Sequence, residues 1–108
     1  MDKGIEIKLD DFAYHPGEML EEKLQEMEMS VEEFAEQVHQ KVVLVKKIIE
    51  CKASVTPEVA VAFELVTGIP AHLWLNLQHD YDNIMLRRKK KSWTEKFINM
   101  SRRTAAVL

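Results

Sequence analysis

The sequence predicts an all-helical domain, and three observations carry that prediction. Apolar residues recur at helical spacing along most of the chain from Pro16 onward. Helix-start signals stand ahead of several of these periodic stretches. Only three glycines and three prolines are present, too few for a turn-rich β design. The 108 residues suffice for one domain with a modest core, a size that often gains stability from a partner.

The elements follow in chain order. Ile5 to Leu9 alternates apolar and charged residues, which fits either a short strand needing a partner or an extended arm over the helices. His15-Pro16-Gly17-Glu18 opens the first helix, with Pro tolerated in a first turn and Glu18 at the positive end of the macrodipole. Met19, Leu20, Leu24 and Met27 make that helix amphipathic to about Met27, and Glu18, Glu21, Glu22 and Glu26 form an acidic exposed face. Ser30-Val31-Glu32-Glu33 is a capping box for a second helix, running to about Val38, whose apolar face is Val31, Phe34, Ala35 and Val38. A break near His39-Gln40 leads to a third helix from about Lys41 to Glu50.

Thr56-Pro57-Glu58 is a further start signal, and Gly68 is well placed as a left-handed cap after Val59, Ala60, Ala62, Phe63 and Val66. Ile69-Pro70 begins the fifth helix, whose period Leu73, Trp74, Leu77, Tyr81, Ile84 and Met85 keep. After Leu86 the pattern dissolves into Arg87-Arg88-Lys89-Lys90-Lys91, and Trp93 to about Met100 reads as a separate short helix. There is no internal repeat.

Charge is unevenly spread. Residues 1–79 carry 15 acids against 7 Lys and Arg, and residues 80–108 carry 3 acids against 8. Two working surfaces are therefore expected rather than one uniform coat. No apolar run approaches the ~20 residues that span a bilayer. The N-terminus lacks a signal core, and the one cysteine, Cys51, fits a reducing cytoplasm.

Two short helices joined by a turn of a few residues, with helices on both sides, have the layout of a helix-turn-helix unit. In such a unit the second helix enters a DNA major groove. Ser30 then belongs at the DNA backbone. Gln40, Lys41, Val42, Val43 and Leu44 become the base-reading positions, Lys46 and Lys47 follow one turn on, and Lys52 contacts phosphate.

Specific residues sharpen this layout: His15-Pro16-Gly17-Glu18, Ser30 to Ala35, Leu73-Trp74-Leu75-Asn76-Leu77-Gln78 and Tyr81-Asp82. On these the chain, from His15 to about Tyr81, resembles the HigA-type antitoxin branch of the Cro/repressor-like (XRE) helix-turn-helix family. The resemblance implies a five-helix, lambda-repressor-like all-α fold, here with an N-terminal arm over residues 1–14, a DNA-binding domain over 15–86 and a basic C-terminal helical extension over 87–108. It also implies a homodimer that binds double-stranded operator DNA in autorepression, and a partner toxin, an mRNA-cleaving ribonuclease encoded by an adjacent gene. Alternatives are a protein-interaction module, in which Val42-Val43-Leu44 binds protein instead of bases, and a stand-alone regulator without a toxin.

The chain departs from that family where it should read DNA. Val42, Val43 and Leu44 replace small or polar residues, and valines touch thymine methyls without making bidentate hydrogen bonds. Glu50-Cys51-Lys52 stands where Asn-Gly-Lys is typical; Cys51 at a positive-φ site carries strain, which points to a different turn, and Glu50 repels phosphate.

Other residues have ordinary readings. The four histidines and Cys51 match no metal-ligand spacing, so no metal is expected. With no Gly-rich phosphate loop, and glutamates that fall on exposed helix faces, no cofactor or catalytic centre is expected either. Trp74 reads as core against Phe63 and Leu73. Arg87 to Lys91 fits a solvated helix end, a phosphate clamp or a contact with an acidic neighbour. Trp93, Phe97 and Met100 would form an apolar strip for docking.

Overall fold

A computed structural model of the protein describes residues 13–107, and side chains up to Ile98. The Ile5 to Leu9 segment, most of the 1–14 arm and the Met100 side chain lie outside the described residues. Five helices are described, and no strand among these residues: α1 (Pro16–Glu26), α2 (Val31–Gln37), α3 (Val42–Ile49), α4 (Pro57–Thr67) and α5 (Ala71–Val107). Two compact units divide the chain, residues 14–81 and the remainder.

Each helix start in the first unit has a visible cause. His15 is the N-cap of α1: its Nδ1 accepts from Gly17 N–H at 2.9 Å, and its own N–H donates to Glu18 Oε2 at 3.0 Å. Ser30 caps α2 through the expected box, accepting from Glu33 N–H at 3.1 Å while its own N–H donates to Glu33 Oε1 at 3.2 Å. Thr56 caps α4. The Glu64 carboxylate accepts the Ala71 N–H at 2.7 Å, placing a negative group at the start of α5. α3 starts at Lys41 without a side-chain cap.

Helices α1, α2 and α3 end alike. The residue just past the cap is left-handed in each: Glu28 (φ 52), His39 (φ 56) and Cys51 (φ 63). After α3, Lys52 N–H donates to Lys47 C=O at 2.8 Å and Cys51 N–H to Ile48 C=O at 3.0 Å, the paired bonds of a Schellman turn. The same pair closes α1 (Met29 to Leu24, Glu28 to Gln25) and α2 (Gln40 to Ala35, His39 to Glu36). The turn after α3 is thus kept despite Cys51, not replaced. The left-handed geometry costs an L-residue about 1–2 kcal/mol, and two backbone hydrogen bonds plus the burial of Ile48 outweigh it.

The core joins all five helices. Leu20, Leu24, Phe34, Ala35, Val38, Val45, Ile48, Val55, Val59, Ala60, Phe63 and Trp74 are buried, as periodicity required of most of them. Phe34, Phe63 and Trp74 stack edge-to-face in series, with centroids 5.1 Å apart at each step. Leu73, expected beside Trp74, is instead exposed, because it lies one residue, about 100° of helix, away from the buried position. α3 packs on both α1 and α2. At Gly17 the α1 backbone lies so close to the carbonyl of Ile48 that a Cβ has no space.

In the second unit, the expected separate helix from Trp93 is one with α5. Residues 71–107 contain no Gly or Pro, and Arg and Lys are good helix formers, so loss of the apolar period does not stop the helix. Among the described residues, no helix is long and apolar enough to cross a membrane.

Two stability changes are expected. Gly17→Ala should destabilise by about 3 kcal/mol in urea unfolding, since backbone atoms of Ile48 cannot give way; an unchanged midpoint would contradict the close approach. Cys51→Gly should stabilise by about 0.5–1 kcal/mol and raise the Tm by a few degrees, and a lower Tm would show that the left-handed turn carries no strain.

Candidate nucleic-acid interface

The α2–turn–α3 unit is built as the sequence anticipates, and its outer surface is set by which residues of α3 face inward. Val45 and Ile48 are buried, so Val43, Lys46, Lys47 and Glu50, three and four residues apart, share the opposite face and are exposed. Lys41, ahead of the helix, is also exposed, and Val43 keeps 63% of its surface accessible.

The other candidate positions fall elsewhere. Val42 and Leu44 are half-buried and pack against the core, and Gln40 is half-buried in the turn. The apolar trio Val42-Val43-Leu44 is therefore not one exposed patch; Val43 alone is outward. Ser30 is exposed, but its oxygen already accepts the Glu33 amide, so its first role is to cap. Its hydroxyl hydrogen remains a donor for a phosphate oxygen.

Acids temper the cations. Lys46 Nζ lies 3.6 Å from Glu32 of α2, and Lys52 Nζ lies 3.7 Å from Glu50. Both pairs are exposed, where such contacts are worth about 0–1 kcal/mol, so phosphate can compete for either lysine. Sequence reading missed Glu32; its signal was only that α2 and α3 must pack side by side. Cys51 is an ordinary thiol here, because burial first, then Glu18 and Glu21, push its pKa up and away from a reactive thiolate.

The Trp74 to Gln78 run supports this interface from behind. Trp74 is fully buried and donates through Nε1 to Ile69 C=O at 3.2 Å. One turn on, buried Gln78 accepts the Val55 N–H at 2.9 Å, tying α5 to the segment that leaves α3. The edge of Tyr81 against His15, centroids 4.7 Å apart, ties α5 to the start of α1. Of the remaining histidines, His39 makes the left-handed turn, and His72 and His79 are exposed.

Known proteins share this fold. No family model matches the chain. It is 34% identical over 64 residues to the uncharacterized HTH-type transcriptional regulator YddM of Escherichia coli (strain K12), covering 59% of this chain and 68% of that one. Among solved structures it is similar to an addiction module antidote protein of a HigA family from Coxiella burnetii, with TM-score 0.71 and 32% identity over 78% of this chain and 92% of that one. It is also similar to PA4674 of Pseudomonas aeruginosa, solved in complex with its operator DNA, with TM-score 0.66 and 25% identity over 69% and 82%.

Gln78→Leu should cost about 1–3 kcal/mol, because the buried Val55 amide loses its acceptor while the side-chain volume is nearly kept. Thermal unfolding at neutral pH checks this; a variant as stable as the parent would mean that the amide finds another partner.

Proposed function

The chain belongs to the HigA family of helix-turn-helix antidote proteins, and from that premise we propose that it is the antitoxin of a type II toxin–antitoxin pair. On this reading residues 15–86 bind operator DNA as a homodimer in the cytoplasm, the chain represses its own promoter, and it neutralises a ribonuclease encoded by an adjacent gene. The chain acts by binding, not as an enzyme.

The observation that carries the reading is the outward face of α3, with Val43, Lys46 and Lys47 held by a capped α2 and a closed turn. Lysines neutralise phosphate, and Val43 offers a contact to a thymine methyl. PA4674, of similar fold, is bound to operator DNA. Dimerisation is supported by the large apolar side chains left outside, among them Leu65 on α4, 81% exposed, and Trp93 and Phe97 on α5. A dimer places two α3 helices on half-sites about one helical turn apart.

A second reading, a regulator that works without a toxin, is favoured by the likeness to YddM, a transcriptional regulator by name. Co-purification with the product of the adjacent gene separates the two. The interaction-module reading is weaker, since Val42 and Leu44 are spent on the core.

Footprinting on the chain's own promoter should show a protected palindrome. Replacing Lys41, Lys46 and Lys47 by Glu should weaken binding at least 100-fold and flatten the dependence of log K on log salt by about 5, near one per lost phosphate contact, because each of the two copies loses three. A protected site that survives the triple variant would place the DNA-reading surface elsewhere.

A further inference from the structure

Two surfaces among the described residues combine uncovered apolar area with opposite charge. One is a groove of about 300 Å³ beside the α1–α2 turn, where Leu24, Met29, Val31 and Ile49 line the walls and Glu21 and Glu28 stand at the rim. It lies in an acidic region: residues 14–40 carry eight glutamates against one cation, Lys23.

The other surface is on α5 beyond Asp82. Leu86, Trp93 and Phe97 are exposed by 57%, 53% and 58%. At 100° per residue they fall within about 40° of one another and form a stripe. Lys89 and Lys96 flank the stripe on one side and Lys90 on the other, and Lys96 Nζ lies 5.6 Å from the Trp93 ring centre. Arg88 and Lys91 fall on the opposite side of the helix, and Arg87 lies about 100° from the centre of the stripe.

We propose that the Leu86–Trp93–Phe97 stripe of one protomer docks in the Glu21/Glu28-rimmed groove of a second copy. Aromatic side chains enter the apolar groove, and Lys89, Lys90 and Lys96 meet the glutamates. The other candidate occupants fit less well. DNA phosphate would satisfy the lysines and leave Trp93, Phe97 and Leu86 in water. Two stripes facing one another would bring lysine against lysine, which like-charge repulsion opposes. The α3 face offers Lys46 and Lys47, the wrong sign. The inference rests on the homodimer reading and gives that dimer a surface.

The test uses the full chain with Trp93→p-benzoylphenylalanine, half of the copies labelled with ¹⁵N, irradiated without DNA and digested for mass spectrometry. The expected product is a crosslinked dimer joining position 93 of one isotope to residues 21–31 of the other. Glu21→Lys with Glu28→Lys should lower its yield about tenfold, and adding Lys89→Glu and Lys90→Glu to the same chain should restore it. Crosslinks to residues 86–97 or to α4 of the other copy, to DNA alone when operator is added, or within one isotope overturn the proposal. So does a dimer by sedimentation that gives no such crosslink. Sedimentation as a monomer at micromolar concentration overturns the homodimer reading itself, and promoter footprinting tests operator binding separately.

Discussion

The position of α3 depends on a place where a side chain is missing. Gly17 brings the α1 backbone against the carbonyl of Ile48 with no room for a Cβ. Everything near it serves to keep Gly17 in place. Pro16 fixes the first turn, His15 accepts the Gly17 amide, Glu18 holds the His15 amide, and Tyr81 closes over the imidazole. A backbone contact is stiffer than a contact between side chains, which can change rotamer. The outward face of α3 is therefore set by the start of α1, more than 20 residues earlier in the chain.

Helices as short as α2 and α3, seven and eight residues, do not hold together alone in water. Their ends and their buried faces hold them. Left-handed residues close α1, α2 and α3, yet none of the three is glycine: they are Glu28, His39 and Cys51. Each turn spends local strain on a pair of backbone hydrogen bonds and on burying its neighbours. The sequence makes the first two breaks visible as interruptions of the apolar period. It makes the third look improbable, because a residue-by-residue penalty of about 1–2 kcal/mol is easy to see and the tertiary gain that offsets it is not.

Other parts of the structure differ in legibility for equally physical reasons. The caps at Ser30, Thr56 and Gly68 follow from residue type and spacing. His15 was harder to read as a cap because imidazole is not a usual capping group, although Glu18 three residues later was in view. Continuity of α5 was obscured because amphipathic period reports burial, not helicity; a solvated run of Arg and Lys stays helical with no apolar face. In the candidate interface, residue types gave the cations, but only packing separates outward Val43 from half-buried Val42 and Leu44. The Trp-Leu-Asn-Leu-Gln run carries the resemblance to the family, and its buried members are Trp74 and Gln78. In this chain the run is a brace behind the interface, not part of its outer surface.

On the operator-binding reading, the weakness of each single α3 face has a consequence for specificity. Lys46 already faces Glu32 and Lys52 already faces Glu50, so part of the cationic field is cancelled before DNA arrives. Non-specific binding rests almost entirely on phosphate neutralisation and suffers most from that cancellation. Binding to two correctly spaced half-sites suffers less, because the second contact is intramolecular and draws on a high effective concentration. A protein with few phosphate contacts per copy thus loses affinity for bulk DNA faster than for a paired site. Discrimination then comes from the spacing fixed by the dimer as much as from bases read by Val43 and its neighbours. For such a protein the surface that joins two copies belongs to the DNA-reading apparatus.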